Sequence, residues 1–128
     1  MKLKLSRRKG AALKILCLGA HSDDIEIGCG GSILKLLEEI EDVHIYWIVF
    51  SGGTTRAKEA LKSARKFLTN ARRKEIMVKR CKDGFFPYTG GPIKDFFEEL
   101  KKRIPAHVTM SSVTIWETGS YSAKYSEA

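Results

Sequence analysis

Cysteine, proline, histidine and long apolar runs are all scarce in this 128-residue chain. The three cysteines, Cys17, Cys29 and Cys81, make no even disulfide framework and no Cys-x-x-Cys pair, the usage expected in a reducing cytoplasm. No apolar run approaches the roughly 18 residues of a membrane-spanning helix, so a soluble protein with no membrane partner is expected. Met1 to Ala20 imitates a secretory leader only in outline. Lys14 interrupts its apolar part, and His21-Ser22-Asp23-Asp24 stands where a small-residue cleavage site belongs. The 43% hydrophobic content excludes a disordered chain. The length allows one domain, large enough to hold a core without disulfide staples.

The net charge of +8 is unevenly spread. Residues 1–10 carry +5, 11–55 carry −5, 56–82 carry +9 and 83–128 carry −1. An acidic segment is thus followed by a basic one. A basic stretch such as Lys62 to Lys82 is a nucleic-acid candidate. Only Phe67 interleaves with those charges, so the plainer reading is a solvated helix face and a charged loop, with no nucleic-acid partner.

Ile15 to Ala20 is a short continuous apolar run, the pattern of a strand buried on both faces, which predicts a central position in a sheet. Ile33, Leu36, Leu37 and Ile40 recur at helical spacing. Val43 to Phe50 is a second apolar run, rich in β-branched and aromatic residues and ended by Ser51-Gly52-Gly53. Ala57, Ala60, Leu61, Ala64 and Leu68 mark an amphipathic helix. Glu75 to Arg80 is a weaker strand, and Asp83-Gly84 with Pro87 marks a loop. A third helix follows from Pro92, with Ile93, Phe96, Phe97, Leu100 and Ile104 in register. Strand and helix alternate three times, which predicts a three-layer α/β/α sandwich with a mostly parallel, Rossmann-like sheet. The last 24 residues hold eight Ser or Thr and no sustained period. Val108-Thr109-Met110 and Val113-Thr114-Ile115 are the two candidates there for a fourth strand.

Ligands of a parallel sheet bind beyond the carboxyl ends of its strands. The first strand ends on Ala20-His21-Ser22-Asp23-Asp24-Ile25-Glu26-Ile27-Gly28-Cys29-Gly30-Gly31. A histidine and two carboxylates turning off a strand end are the chemistry of a metal site. His21 and Asp24, three apart, can face one point, and Asp23 between them is placed as a base. Histidine plus carboxylate suits zinc, whose catalytic sites take three protein ligands and a water. The plainer reading is an Asp-rich helix cap. The glycines that follow let the next helix pack close to the sheet. Gly28-x-Gly30-Gly31 is a weak dinucleotide signal, because the sixth position is Ile33 and the acids in front repel phosphate.

The pattern Ala20-His21-x-Asp23-Asp24-x-Glu26-x-Gly28-x-Gly30-Gly31 resembles the Ala-His-Pro-Asp-Asp-x-Glu signature of the LmbE-like, or PIG-L, deacetylases. The resemblance runs from about Ile15 to Arg103, through the Ser-Gly-Gly loop, the Arg-x-x-Glu helix and the Asp-Gly-Phe-Phe-Pro loop. It implies a zinc hydrolase that removes the acetyl group from an N-acetylglucosamine-type conjugate. Carried over by residue, His21 and Asp24 match zinc ligands, Asp23 the general base, and Arg56 and Asp83 positions that face the substrate. Ser22 replaces the family's proline, which softens the turn without removing a ligand.

The family's third zinc ligand, in a His-x-Asp-His type motif after its fourth strand, has no counterpart here. His44 lies inside the second strand as a structural residue, and His107 falls at the wrong end of any fourth strand. Cys29 beside the site reads as a small buried cysteine. The expected organisation is a basic tail over 1–10, a deacetylase-like domain over 11–104 and an atypical tail over 105–128 from a truncated or frameshifted reading. Two other readings compete. Receiver-like signalling modules also place an acidic pair after the first strand and an Asp after the third, which Asp83 would imitate. A basic nucleic-acid binder is the other, marked by a salt-sensitive affinity.

Overall fold

The computed structural model describes residues 10–81, 90–103, 112–118 and 121–126. The apolar stretch after Asp42 organises it. Strand β2 (Val43–Ser51) runs between β1 (Leu13–Gly19) and β3 (Arg73–Cys81), parallel to both. Side chains alternate across a strand, so Val43, Ile45, Trp47 and Val49 enter one core while Ile48 and Phe50 enter another. Burial on both faces is why β2 reads as an unbroken apolar run.

Helices α1 (Asp24–Glu39) and α2 (Thr54–Phe67) cover the first core with Ile25, Ile33 and Ala64, joined by Leu68 just past α2. Helix α3 (Gly90–Lys101) covers the second with Phe96 and Leu100, and the Phe96 ring meets Phe50 edge-on at 4.8 Å. The three-layer α/β/α architecture with a parallel sheet is therefore as expected. The order β1-β2-β3 follows the 3-2-1 half of the doubly wound nucleotide-binding sheet. Receiver domains instead place their first strand between the second and third, so the signalling reading loses its topology.

Two expectations need correction. The first strand was expected at the centre of the sheet, yet among the described residues β1 is an edge and β2 is central. Only Cys17 and Gly19 of β1 are buried, facing α1, while Leu18 is 40% exposed. An apolar run alone does not distinguish a strand covered on both faces from an edge with one covered face. Second, Val113 to Ile115 does form strand, within β4 (Ser112–Thr118). But β4 pairs antiparallel with β5 (Tyr121–Ser126) as a separate sheet and does not extend the parallel one. Val108 to Met110 and the Asp83–Pro87 loop lie outside the described residues.

A polar ladder pins α3 to the sheet. Lys79 Nζ donates to Glu99 Oε2 at 3.0 Å and sits 4.6 Å from the Phe96 ring centre. Arg103 bridges Glu99 and Glu75, and Glu75 also faces His44 Nε2 at 3.6 Å. The Lys79 hydrogen bond lowers the Glu99 carboxyl below its usual 4.5, with Arg103 adding to it. A depressed carboxylate contributes stability above its unfolded pKa and loses it as pH falls through the folded value. Glu99→Gln is expected to flatten this part of the acid limb in melts taken from neutral pH to about pH 3.

The glycines of α1 do different work from that expected of them. A Cβ on Gly30 would stand 2.7 Å from Phe67 Cε1, so Gly30 admits α2 rather than the sheet. Gly28 and Gly31 face open space. Gly30→Ala is expected to cost about 1–3 kcal/mol through overpacking. Gly28→Ala and Gly31→Ala should each gain up to about 1 kcal/mol of helix propensity. Urea denaturation of the three variants checks the opposite signs.

Candidate functional site

Strand β1 ends at Gly19, and the chain turns through Ala20 to Asp23 into α1. The turn folds tightly over Gly19, where a Cβ would meet Ile25 Cγ1 at 3.0 Å and the His21 carbonyl oxygen at 3.3 Å. Within the turn the His21 backbone N–H donates to Asp24 Oδ2 at 2.9 Å, and His21 Nδ1 lies 3.5 Å from the same oxygen. The spacing of three brings imidazole and carboxylate together as the sequence implies. Both side chains remain open to water, at 31% and 44% exposure.

Asp23 occupies the N-cap position of α1, and its carboxylate makes no capping hydrogen bond. Its backbone carbonyl accepts from Ile27 N–H at 3.0 Å. Helix capping thus accounts for the backbone of Asp23 and leaves its exposed carboxylate available. Asp24 and Glu26 add negative charge to the first turn, where the helix dipole favours it.

Arg56 is exposed in the first turn of α2, just past the carboxyl end of β2. The register pairs Gly19 with Val49, so the ends of β1 and β2 lie side by side and the His21 turn and Arg56 share one end of the sheet. Asp83 lies outside the described residues, as does His107. His44 stands near the start of β2, tilted against Tyr46 with ring centres 4.3 Å apart. Its place at the opposite end of the strand keeps it from the turn.

Two features go beyond what the sequence assigns to these positions, although Glu26 belongs to the quoted signature and Cys29 adjoins it. Glu26 Oε2 is buried with no hydrogen-bond partner among the described residues, a costly arrangement in the first turn of α1. The free thiols of Cys17 and Cys29 meet beneath the turn, where burial first and the Cys29 neighbour second push the Cys17 thiol up to about 12. Cys17 is 7% exposed and stays a thiol at neutral pH. Iodoacetamide at about pH 8 is therefore expected to leave Cys17 unmodified in the folded chain and to reach it only on unfolding, as read by mass spectrometry.

A cavity of about 370 Å³ opens between α3 and the end of β3, floored by Phe50 and Phe96 and rimmed by Lys79, Asp95 and Glu99. None of His21, Asp23, Asp24 or Arg56 lines it. The candidate site is the exposed turn and not this cavity.

An imidazole nitrogen and a carboxylate oxygen side by side are donors that zinc takes, and to that extent His21 and Asp24 fit it. They are two where a catalytic zinc takes three. Among the described residues no group of three His, Cys, Asp or Glu is arranged to hold a metal ion. No helix among them is long and apolar enough to cross a membrane.

Fold and turn together define an α/β domain with an acidic, histidine-headed turn at the carboxyl end of a parallel strand. Over 50 residues the chain is 40% identical to the "Uncharacterized deacetylase YaiS" of Escherichia coli (strain K12). That stretch is 39% of this chain and 24% of the relative, so the match spans about a quarter of the relative's length. No family model matches, and no solved structure matches. The similarity is to a deacetylase, at that level and no finer.

Proposed function

We propose that this chain is a deacetylase domain of the LmbE-like, PIG-L kind, directed at the acetyl amide of an N-acetylglucosamine-type conjugate. The observation that carries the reading is the His21–Asp24 pair on a tight turn at the strand end, with the Asp23 carboxylate uncommitted beside it. The similarity to a deacetylase supports it. His21 and Asp24 would hold zinc, which when bound supplies a water of lowered pKa and polarises the amide carbonyl. The Asp23 carboxylate accepts the proton of the water that attacks that carbonyl. The C–N bond breaks, the amine leaves protonated, and acetate is the second product. Arg56 and Asp83 are read as contacts to the sugar conjugate. The same reading places the protein in the cytoplasm, where its three thiols stay reduced.

With two donors the chain is expected to be a poor enzyme. The test measures zinc content and acetate release from an N-acetylglucosaminide, on purified chain and on Asp23→Ala. Less than one zinc per chain, with slow release that disappears in Asp23→Ala, is the expected result. Release undiminished in Asp23→Ala overturns the reading.

A further inference from the structure

Residues 56–82 hold eleven basic residues against two acidic ones. From sequence alone this run is a solvated face plus a charged loop; the fold adds where the charges go. Helix α2 turns Ala57, Ala60 and Ala64 into the core. Lys58, Lys62 and Lys66, four apart, therefore form one row on the outer side with Arg65 beside it, all exposed. Arg72 and Arg73, also exposed, follow the turn at the carboxyl end of α2, which Lys74 Nζ ties to the Leu68 carbonyl at 2.7 Å. Among the described residues none of these six cations has a carboxylate partner, and Glu59 is the one acid in α2.

Lys58 to Lys66 spans about 12 Å of helix, with successive rises to Lys62, Arg65 and Lys66 of about 6, 4.5 and 1.5 Å, a length that faces roughly three to four phosphates of one strand. A nucleic-acid strand presents one phosphate per about 3.4 Å. The row contains no apolar or aromatic side chain, because the apolar residues of α2 face the core. A helix that binds a membrane surface keeps its apolar face free, which α2 does not. Without a ring for bases to stack on, contact falls to phosphates alone.

We propose that the outer face of α2, with Lys58, Lys62, Arg65 and Lys66 and the adjoining Arg72 and Arg73, binds the phosphate backbone of nucleic acid without reading its sequence. The test is fluorescence anisotropy of the full chain with a mixed-sequence DNA duplex between about 50 and 200 mM KCl. About five phosphates neutralised predict a log–log salt slope near −4 to −5. The variant K58Q/K62Q/R65Q/K66Q, which keeps helix propensity, should lose about 3–4 from that slope and bind at least tenfold more weakly at the lowest salt. K58R/K62R/K66R should keep the slope, and the basic-tail variant R7Q/R8Q/K9Q should change it less than the α2 variant does. Circular dichroism confirms that each is folded. No binding at the lowest salt, an unchanged slope in the glutamine variant, or tighter binding to anionic vesicles than to DNA overturns the proposal.

Discussion

Trp47→Ala is expected to cost about 3–5 kcal/mol, the penalty of removing a large aromatic ring from a packed interior. Trp47 is 0% exposed, lies at the centre of β2 and packs 5.9 Å from the Phe67 ring, so its loss opens a void between sheet and α2. Set against a total of about 5–15 kcal/mol, the change removes much of the stability. A melting temperature lower by about 10–20 °C should result. Trp47→Phe separates packing from polarity. Trp47 Nε1 is buried with no hydrogen-bond partner among the described residues, so phenylalanine keeps most of the ring and removes an unsatisfied donor. Its cost is expected below about 1.5 kcal/mol. Equal losses in the two variants would contradict this account of Trp47, because a phenyl ring would then restore none of the packing.

The elements that sequence predicts well are those whose pattern has one physical reading. Val43 to Phe50 has an apolar residue on almost every step, and a strand covered on both sides needs that. Ala57, Ala60, Ala64 and Leu68 recur at a helical period, and the helix they form buries them. The His21–Asp24 spacing was legible for a similar reason: a three-residue offset across a tight turn brings two side chains to one point, and both meet there. Position within the sheet was not legible. The run Ile15 to Ala20 is apolar whether the strand is central or at an edge, and strand order is set by which crossover lies on which face. Val113 to Ile115 was legible as strand, but its antiparallel pairing with β5 was not, because Ser and Thr dilute any alternation over residues 112–126. Gly30 shows the same limit at one residue: the sequence shows a missing Cβ, and only the fold shows that Phe67 occupies its place. The Cys17–Cys29 contact and the buried Glu26 oxygen depend on how α1 lies on β1, which no local pattern encodes.

Whether His21 and Asp24 form a metal half-site is decided by titrating zinc into the chain against a chelating dye, alongside His21→Ala and Asp24→Asn. Asparagine keeps a carbonyl oxygen to accept the His21 N–H, so Asp24→Asn removes the anionic donor while the turn keeps its 2.9 Å hydrogen bond. Changes beyond the ligands of a metal site already cost about 10–100-fold in affinity, and loss of a ligand should cost at least as much. One weak zinc site per chain is expected, weakened at least tenfold in each variant, with circular dichroism unchanged. Zinc bound with the same affinity in the wild-type chain and both variants would contradict a half-site at His21 and Asp24.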